Sequence, residues 1–156
     1  MLIALTTVWG YGTWQDFYWR HRLITEAHRL ESLFHFAREQ AMFRSETIEL
    51  CNSHDDLNCD SHSSQWTGDW LVRGLESQAL KVSSKIAPPF RLSWVAGLDL
   101  KKELSFDSNG FTSGQQGSFY FCAPSNSDVI GIALIVLRSG RLRLSSDYSK
   151  LPKFCG

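Results

Sequence analysis

The chain has 156 residues, in which 16 Lys and Arg balance 16 Asp and Glu, and it carries four Cys. That length suffices for one domain with a hydrophobic core. The neutral total says nothing about partners, but the charges are unevenly placed. Between Ser45 and Trp70 lie Glu46, Glu49, Asp55, Asp56, Asp60 and Asp69 with neither Lys nor Arg. From Arg138 to the end, Arg138, Arg141, Arg143, Lys150 and Lys153 face Asp147 alone. An acidic middle and a basic end are the asymmetry to be explained.

In chain order, Met1 to Val8 is apolar and uncharged. It is shorter than the roughly 20 residues of a membrane span and lacks the basic start of a secretory signal. From Trp14 to Arg44 neither Gly nor Pro interrupts the chain. Leu23, Ala27, Leu30, Phe34, Ala37 and Ala41 alternate in steps of four and three, which places them on one stripe of a long helix. Arg22, Glu26, Arg29, Glu31, Arg38 and Glu39 fall mostly off it. Such a helix needs a surface to cover its stripe. Leu30 and Phe34 are expected to be buried, and Phe17 and Trp19, before about Arg22, are expected to be exposed on a projecting end.

After the helix the period changes. Thr47 to Leu50 alternates as a strand, Asn52 to Ser64 reads as a polar loop, and Trp70 to Val72 is a second strand. Gln78 to Lys85 is polar and ambiguous. Pro88-Pro89 stops any helix, and Phe90 to Val95 alternates again. Leu104 to Phe106 is a short strand closed by the turn Asp107-Ser108-Asn109-Gly110. Ser118 to Cys122 and Val129 to Leu137 are strands, the second apolar enough to be buried on both faces. Ser139-Gly140 is a tight hairpin turn and Arg141 to Leu144 the returning strand. There are no repeats and no domain linker. The expected class is α+β, a long N-terminal helix packed on an antiparallel β-sheet.

The four Cys admit three readings: two disulfides in an exported protein, unrelated buried thiols, or a metal site. Cys51-x-x-His54 and Cys59-x-x-His62 have zinc-like spacing but leave Cys122 and Cys155 unexplained. Asp55, Asp56 and Asp60 lack the EF-hand order for calcium. His21, His28 and His35 recur every seven residues, too far apart along a helix to share one metal. No nucleophile elbow, zincin motif or phosphate loop is present, so neither an enzyme nor a cofactor is expected.

The basic end is more informative. Arg141 and Arg143, two apart on a strand, share a face, with Leu142 and Leu144 on the other and Arg138 across the turn. Guanidinium groups so arranged can grip successive phosphates with forked hydrogen bonds. Lys150, Lys153 and the pair Lys101 and Lys102 can extend the patch. Aromatic residues are scarce in this tail, only Tyr148 and Phe154, so base stacking is a weak expectation. The plainer alternative is a solvated hairpin with ordinary surface arginines.

These residues resemble a family. Trp14-Gln15-Asp16-Phe17, Arg22-Leu23, Glu31-Ser32-Leu33, Ala37-Arg38-Glu39-Gln40-Ala41 and Ile48-Glu49-Leu50-Cys51 look like the GspH/FimT minor type IV pilins and type II secretion pseudopilins. Trp66, Gly68-Asp69-Trp70, Leu104 to Asp107 with Gly110, Phe119 to Cys122 and Ser139-Gly140-Arg141-Leu142-Arg143 continue the likeness. The resemblance implies a type IV pilin-like fold, with residues 1–13 the remainder of an apolar membrane and filament helix and residues 14–156 the globular domain with its long helix. Met1 to Leu5 would fall just inside that apolar helix, past a leader, a cleavage site and an early glutamate that this sequence does not contain. It further implies disulfides Cys51–Cys59 and Cys122–Cys155, the second tying down the tail. The implied location is the inner membrane with a periplasmic domain, then a surface pilus, with other pilins as partners. Gly140, Arg141 and Arg143 match the Gly-Arg-x-Arg hairpin of the family's DNA-binding members. The expected function is therefore non-specific, phosphate-driven binding of duplex DNA for uptake in natural transformation. The alternative is a structural minor pilin or pseudopilin that initiates or caps a filament without binding DNA.

Overall fold

The protein is represented by a computed structural model that describes residues 2–74, 76, 78–97, 102–124, 131–145 and 155, with side chains from residue 14 onward. Among the described residues one helix, α1 (Leu2–Arg44), precedes eight strands: β1 (Ile48–Ser53), β2 (Asp69–Arg73), β3 (Ala79–Ser83), β4 (Arg91–Ala96), β5 (Leu104–Phe106), β6 (Gly117–Cys122), β7 (Gly131–Val136) and β8 (Leu142–Ser145). The helix stops where Ser45 takes the left-handed conformation, with φ +54°, a common way to close a final turn. Among the described residues no helix is long and apolar enough to cross a membrane.

The strands form two sheets rather than the single one expected. Their orders are β3-β2-β1-β5 and β4-β6-β7-β8, with every pairing antiparallel. The helix touches β1 and β5 of the first and β6 and β7 of the second. Leu23, Ala27, Leu30, Phe34, Ala37 and Ala41 are all buried, so the stripe is the seam that both sheets share. Phe34 meets Phe106 edge-on at 4.6 Å, while Trp66 and Trp94 enclose Phe119 at 4.8 and 4.5 Å. Such aromatic pairs add directional preference to plain area burial.

Several expectations are corrected. Asn52 and Ser53 belong to β1, not to a loop, and are buried. Asn52 is satisfied there because its Oδ1 accepts the Gly68 N–H at 2.8 Å. Gln78 to Lys85 contains β3, an edge strand whose exposed pattern hid it from hydrophobic alternation. Glu26 is buried beside the stripe. Its carboxylate meets Arg29 at 2.7 Å and Arg22 at 3.9 Å. Arg29 also lies 4.4 Å over the Trp70 ring and donates to the carbonyls of Ser84 and Lys85 at 2.8 and 3.2 Å. These partners offset the cost of burying the charge. Trp19 is half-buried because Phe90, carried in by the chain after Pro88-Pro89, packs on it at 5.3 Å. Phe17 is exposed. Val129 lies outside the described residues; β7 from Gly131 is buried except at Ile135.

Both disulfides, Cys51–Cys59 and Cys122–Cys155, are formed and close sequence separations of 8 and 33 residues. Selective removal of Cys122–Cys155, by replacing both residues with Ser, is expected to lower unfolding stability by about 2–4 kcal/mol. Phe34→Ala is expected to cost roughly 3–5 kcal/mol in chemical denaturation, because apolar burial is given up and a cavity is left behind. Phe43→Ala, at an 86% exposed position of the same helix, should stay within about 0.5 kcal/mol of wild type. Equal effects of the two Phe substitutions would contradict the seam.

Candidate nucleic-acid interface

Strands β7 and β8 are joined through a turn in which Leu137 N–H donates to Arg141 O at 3.0 Å and Gly140 N–H to Leu137 O at 2.9 Å. Gly140 sits at φ +70°, a conformation open to glycine at little cost. The register pairs Val136 with Leu142 and Ile135 with Arg143. Leu142 therefore follows buried Val136 toward the core, while Arg143 follows Ile135 outward. Arg141 shares the Arg143 face, and Arg138 stands before the turn; all three are exposed. Leu144, expected on the inner face, is nonetheless exposed because it lies near the strand's free end. Among the described residues, no acidic side chain pairs with these three guanidinium groups.

The turn is locked to the rest of the molecule. A Cβ added to Gly140 would lie 2.3 Å from Gly110 O, so only glycine permits the approach of the two turns. Gly110 itself has φ +77°. Its N–H donates to Asp107 O at 2.9 Å, and Asp107 Oδ1 accepts the N–H groups of Asn109 and Phe111 at 2.9 and 3.0 Å. From the helix, Arg38 Nε donates to Gly110 O at 3.0 Å. Thr112, buried, donates its N–H to Arg138 O at 3.2 Å, and its hydroxyl lies 3.2 Å from the same oxygen and hydrogen-bonds Gln115 O. Helix, turn and hairpin are thus one rigid corner at the C-terminal end of α1. Sequence reasoning passes over Arg38, Gly110, Phe111 and Thr112 as site residues. The Asp107 to Gly110 turn signal marks the place, but only the tertiary contact makes it part of the site.

Of the other basic residues named from the sequence, only Lys102 is among the described residues. Lys102 precedes β5, at the end of that strand away from the Asp107 to Gly110 turn. Lys101, Lys150 and Lys153 lie outside the described residues. The tail is anchored at Cys155, which is bonded to Cys122 and whose carbonyl accepts Arg91 Nη2 at 2.6 Å. Cys122 pairs with Gly131, whereas Gly117 pairs with Val136 next to the hairpin turn. The anchor is therefore five strand residues, about 17 Å, from the arginine turn.

The acidic segment is a structural loop. Cys51 and Cys59 are consumed by their disulfide, which removes them as zinc ligands. The Asp55 carboxylate accepts the Asn58 N–H and Nδ2 at 2.7 Å each and the Leu57 N–H at 3.0 Å. These bonds hold its pKa well below the ordinary carboxylate range. A depressed pKa means the loop's stabilisation is complete above the ordinary value and disappears only as pH falls through the lowered one. The Glu49, Cys59 and Glu103 cluster is no better as a metal site, since Cys59 is bridged and Glu49 binds Arg73 Nε at 2.7 Å. A pocket of about 220 Å³ lies beside Trp66, Ile86, Phe90 and Leu92, near the Arg91 end of the second sheet and away from the hairpin.

Residues 26–140 match the family described as type II transport protein GspH. Two crystal forms of the type IV minor pilin FimU from Pseudomonas aeruginosa are similar in fold. One has a TM-score of 0.60 at 18% identity, covering 79% of this chain and 92% of that one. The other has a TM-score of 0.61 at 19% identity, covering 81% and 90%. No curated protein matches the sequence.

Gly140→Ala tests the corner directly. It must either strain the backbone or separate the two turns, so thermal unfolding should show a destabilisation of about 2 kcal/mol or more. Gly114→Ala provides the contrast, because that glycine has positive φ, +82°, but open space around its Cβ position. It should cost only about 1–2 kcal/mol, the conformational part alone. A smaller effect at Gly140 than at Gly114 would contradict the close approach.

Proposed function

The chain belongs to the GspH family, and from that membership we propose that it is a minor pilin whose Arg138, Arg141 and Arg143 hairpin binds extracellular DNA for uptake. The observation that supports this most is the rigid corner. Three exposed guanidinium groups project from a turn fixed by Gly110, Thr112 and Arg38. Fixing the scaffold lowers the ordering cost of binding. Arginine forks suit phosphate, which every DNA sequence presents, so binding is expected to be indifferent to sequence. Lysines 101, 102, 150 and 153 join as secondary, diffuse charge.

The same reading places the domain outside the cytoplasm, anchored in the inner membrane before assembly and carried on a pilus after it. The two disulfides suit an oxidising compartment. Residues 1–13 then continue the membrane and filament helix, and exposed Trp14, Phe17 and Tyr18 offer an apolar surface to neighbouring pilins. A second reading keeps the filament role without DNA, within type II secretion. It is favoured by Gly140, whose identity is already explained by its approach to Gly110.

A salt-dependent DNA titration of the whole chain separates the two. Wild type is expected to bind duplexes of unrelated sequence in about the micromolar to hundred-micromolar range, more weakly as salt rises. Arg141→Gln with Arg143→Gln should weaken all sequences alike and lower the salt slope by about 0.9 for each phosphate no longer neutralised. Circular dichroism should show an unchanged fold, since both side chains face solvent. Equal affinity of wild type and double variant would overturn DNA uptake and favour the structural filament role.

A further inference from the structure

We infer that Phe111 is a stacking platform for an unpaired nucleobase, so that the arginine corner takes single-stranded DNA, or frayed duplex ends, in preference to intact duplex. This rests on the DNA-binding reading of the same hairpin and adds to it a base-contacting residue. Phe111 is 50% exposed. It is not a loose side chain on a mobile loop. Its N–H is bound by Asp107 Oδ1 at 3.0 Å, its carbonyl accepts the Asp107 N–H at 2.9 Å, and the next residue, Thr112, is clipped to Arg138 O. Thr112 is buried, so the chain at this point directs one side chain inward and its neighbour outward.

Those hydrogen bonds set Phe111 one residue from Thr112, whose N–H binds the carbonyl of Arg138 in the hairpin turn. Exposed Leu137 and Met42 border the same corner, Met42 through its approach to Gly110. The result is a half-exposed aromatic side chain on a backbone fixed next to Arg138, in the corner that also carries Arg141 and Arg143. Aromatic side chains flanked by positive charge are how proteins hold single strands, with bases on the rings and phosphates on the cations. A duplex keeps its base faces stacked internally, so it can use the arginines but not the ring. A single strand can use both. In the sequence Phe111 follows a turn far from Arg138, and no local pattern joins them.

The test measures fluorescence anisotropy of the whole chain with a labelled oligothymidine and with a blunt, mixed-sequence duplex. Phe111→Ala is expected to weaken single-strand binding by about five- to a hundredfold, the range for one base stack, while duplex affinity stays within about twofold. Phe111→Trp should restore or strengthen single-strand binding. Arg141→Gln with Arg143→Gln should weaken both ligands. If Phe111→Ala weakens neither ligand, or both equally, while the arginine variant weakens both, stacking is overturned and the phosphate site stands. If the arginine variant also changes nothing, the DNA-binding reading fails with it.

Discussion

The apolar stripe of α1 is the feature on which the rest of the structure depends. Among the described residues the two four-stranded sheets share no ladder. What holds the sheets at a fixed relation is that both press on the same helix face, at Leu23, Ala27, Leu30, Phe34, Ala37 and Ala41. Ala27, Ala37 and Ala41 are buried in the seam, and Phe34 fills the space toward Phe106. At roughly 25 cal/mol per Å² of apolar surface removed from water, this seam is the main favourable term open to a domain of this size.

The helix also carries polar devices that position loops rather than fill the core. Arg29 binds Glu26, covers Trp70 and holds two carbonyls of the chain between β3 and β4. Arg38, nine residues later, holds Gly110 O and with it the turn that receives Gly140. Each uses arginine for the same reason: a planar fork with several donors can satisfy carbonyls that a lysine point charge would leave poorly aligned. In this way a face that looks like ordinary solvated charge in the sequence organises both ends of the domain.

The charge asymmetry acquires a spatial meaning in the fold. Ile48 at the start of β1 pairs with Phe106, next to the Asp107 to Gly110 turn and hence to the arginine corner. Ser53, at the other end of the strand, opens the acidic Cys51 to Cys59 loop. Acidic loop and basic hairpin are therefore separated along the strand direction. This spacing keeps the carboxylates of that loop from neutralising the arginines at short range, with salt screening the remainder over about 10 Å, while Glu46 and Glu49, nearer the corner, pair with Arg44 and Arg73.

Much of this was legible in the sequence. Helical periodicity gave the stripe residue by residue, because a buried helix face has one strong period and one covering surface. Strands with apolar alternation, the Asp107 to Gly110 turn and the arginine hairpin were equally readable from local chemistry. The edge strand β3 was not, because an edge can be polar on both faces. The partition into two sheets was also hidden, since alternation records burial and not the identity of the partner strand. Nor could the sequence show that Trp19 meets Phe90 or that Glu26 is buried among arginines, both of which depend on distant segments arriving at the helix. The site divides in the same way. The candidate arginines Arg138, Arg141 and Arg143 could be picked out by their spacing, two apart on a strand and across a turn. That Gly140 rests on Gly110, that Arg38 and Thr112 lock the corner, and that Phe111 stands beside Arg138 while the tail anchor lies at the far end were decided by tertiary structure. Contacts across some thirty to seventy residues of chain are set by how whole elements pack, and no local pattern records that packing.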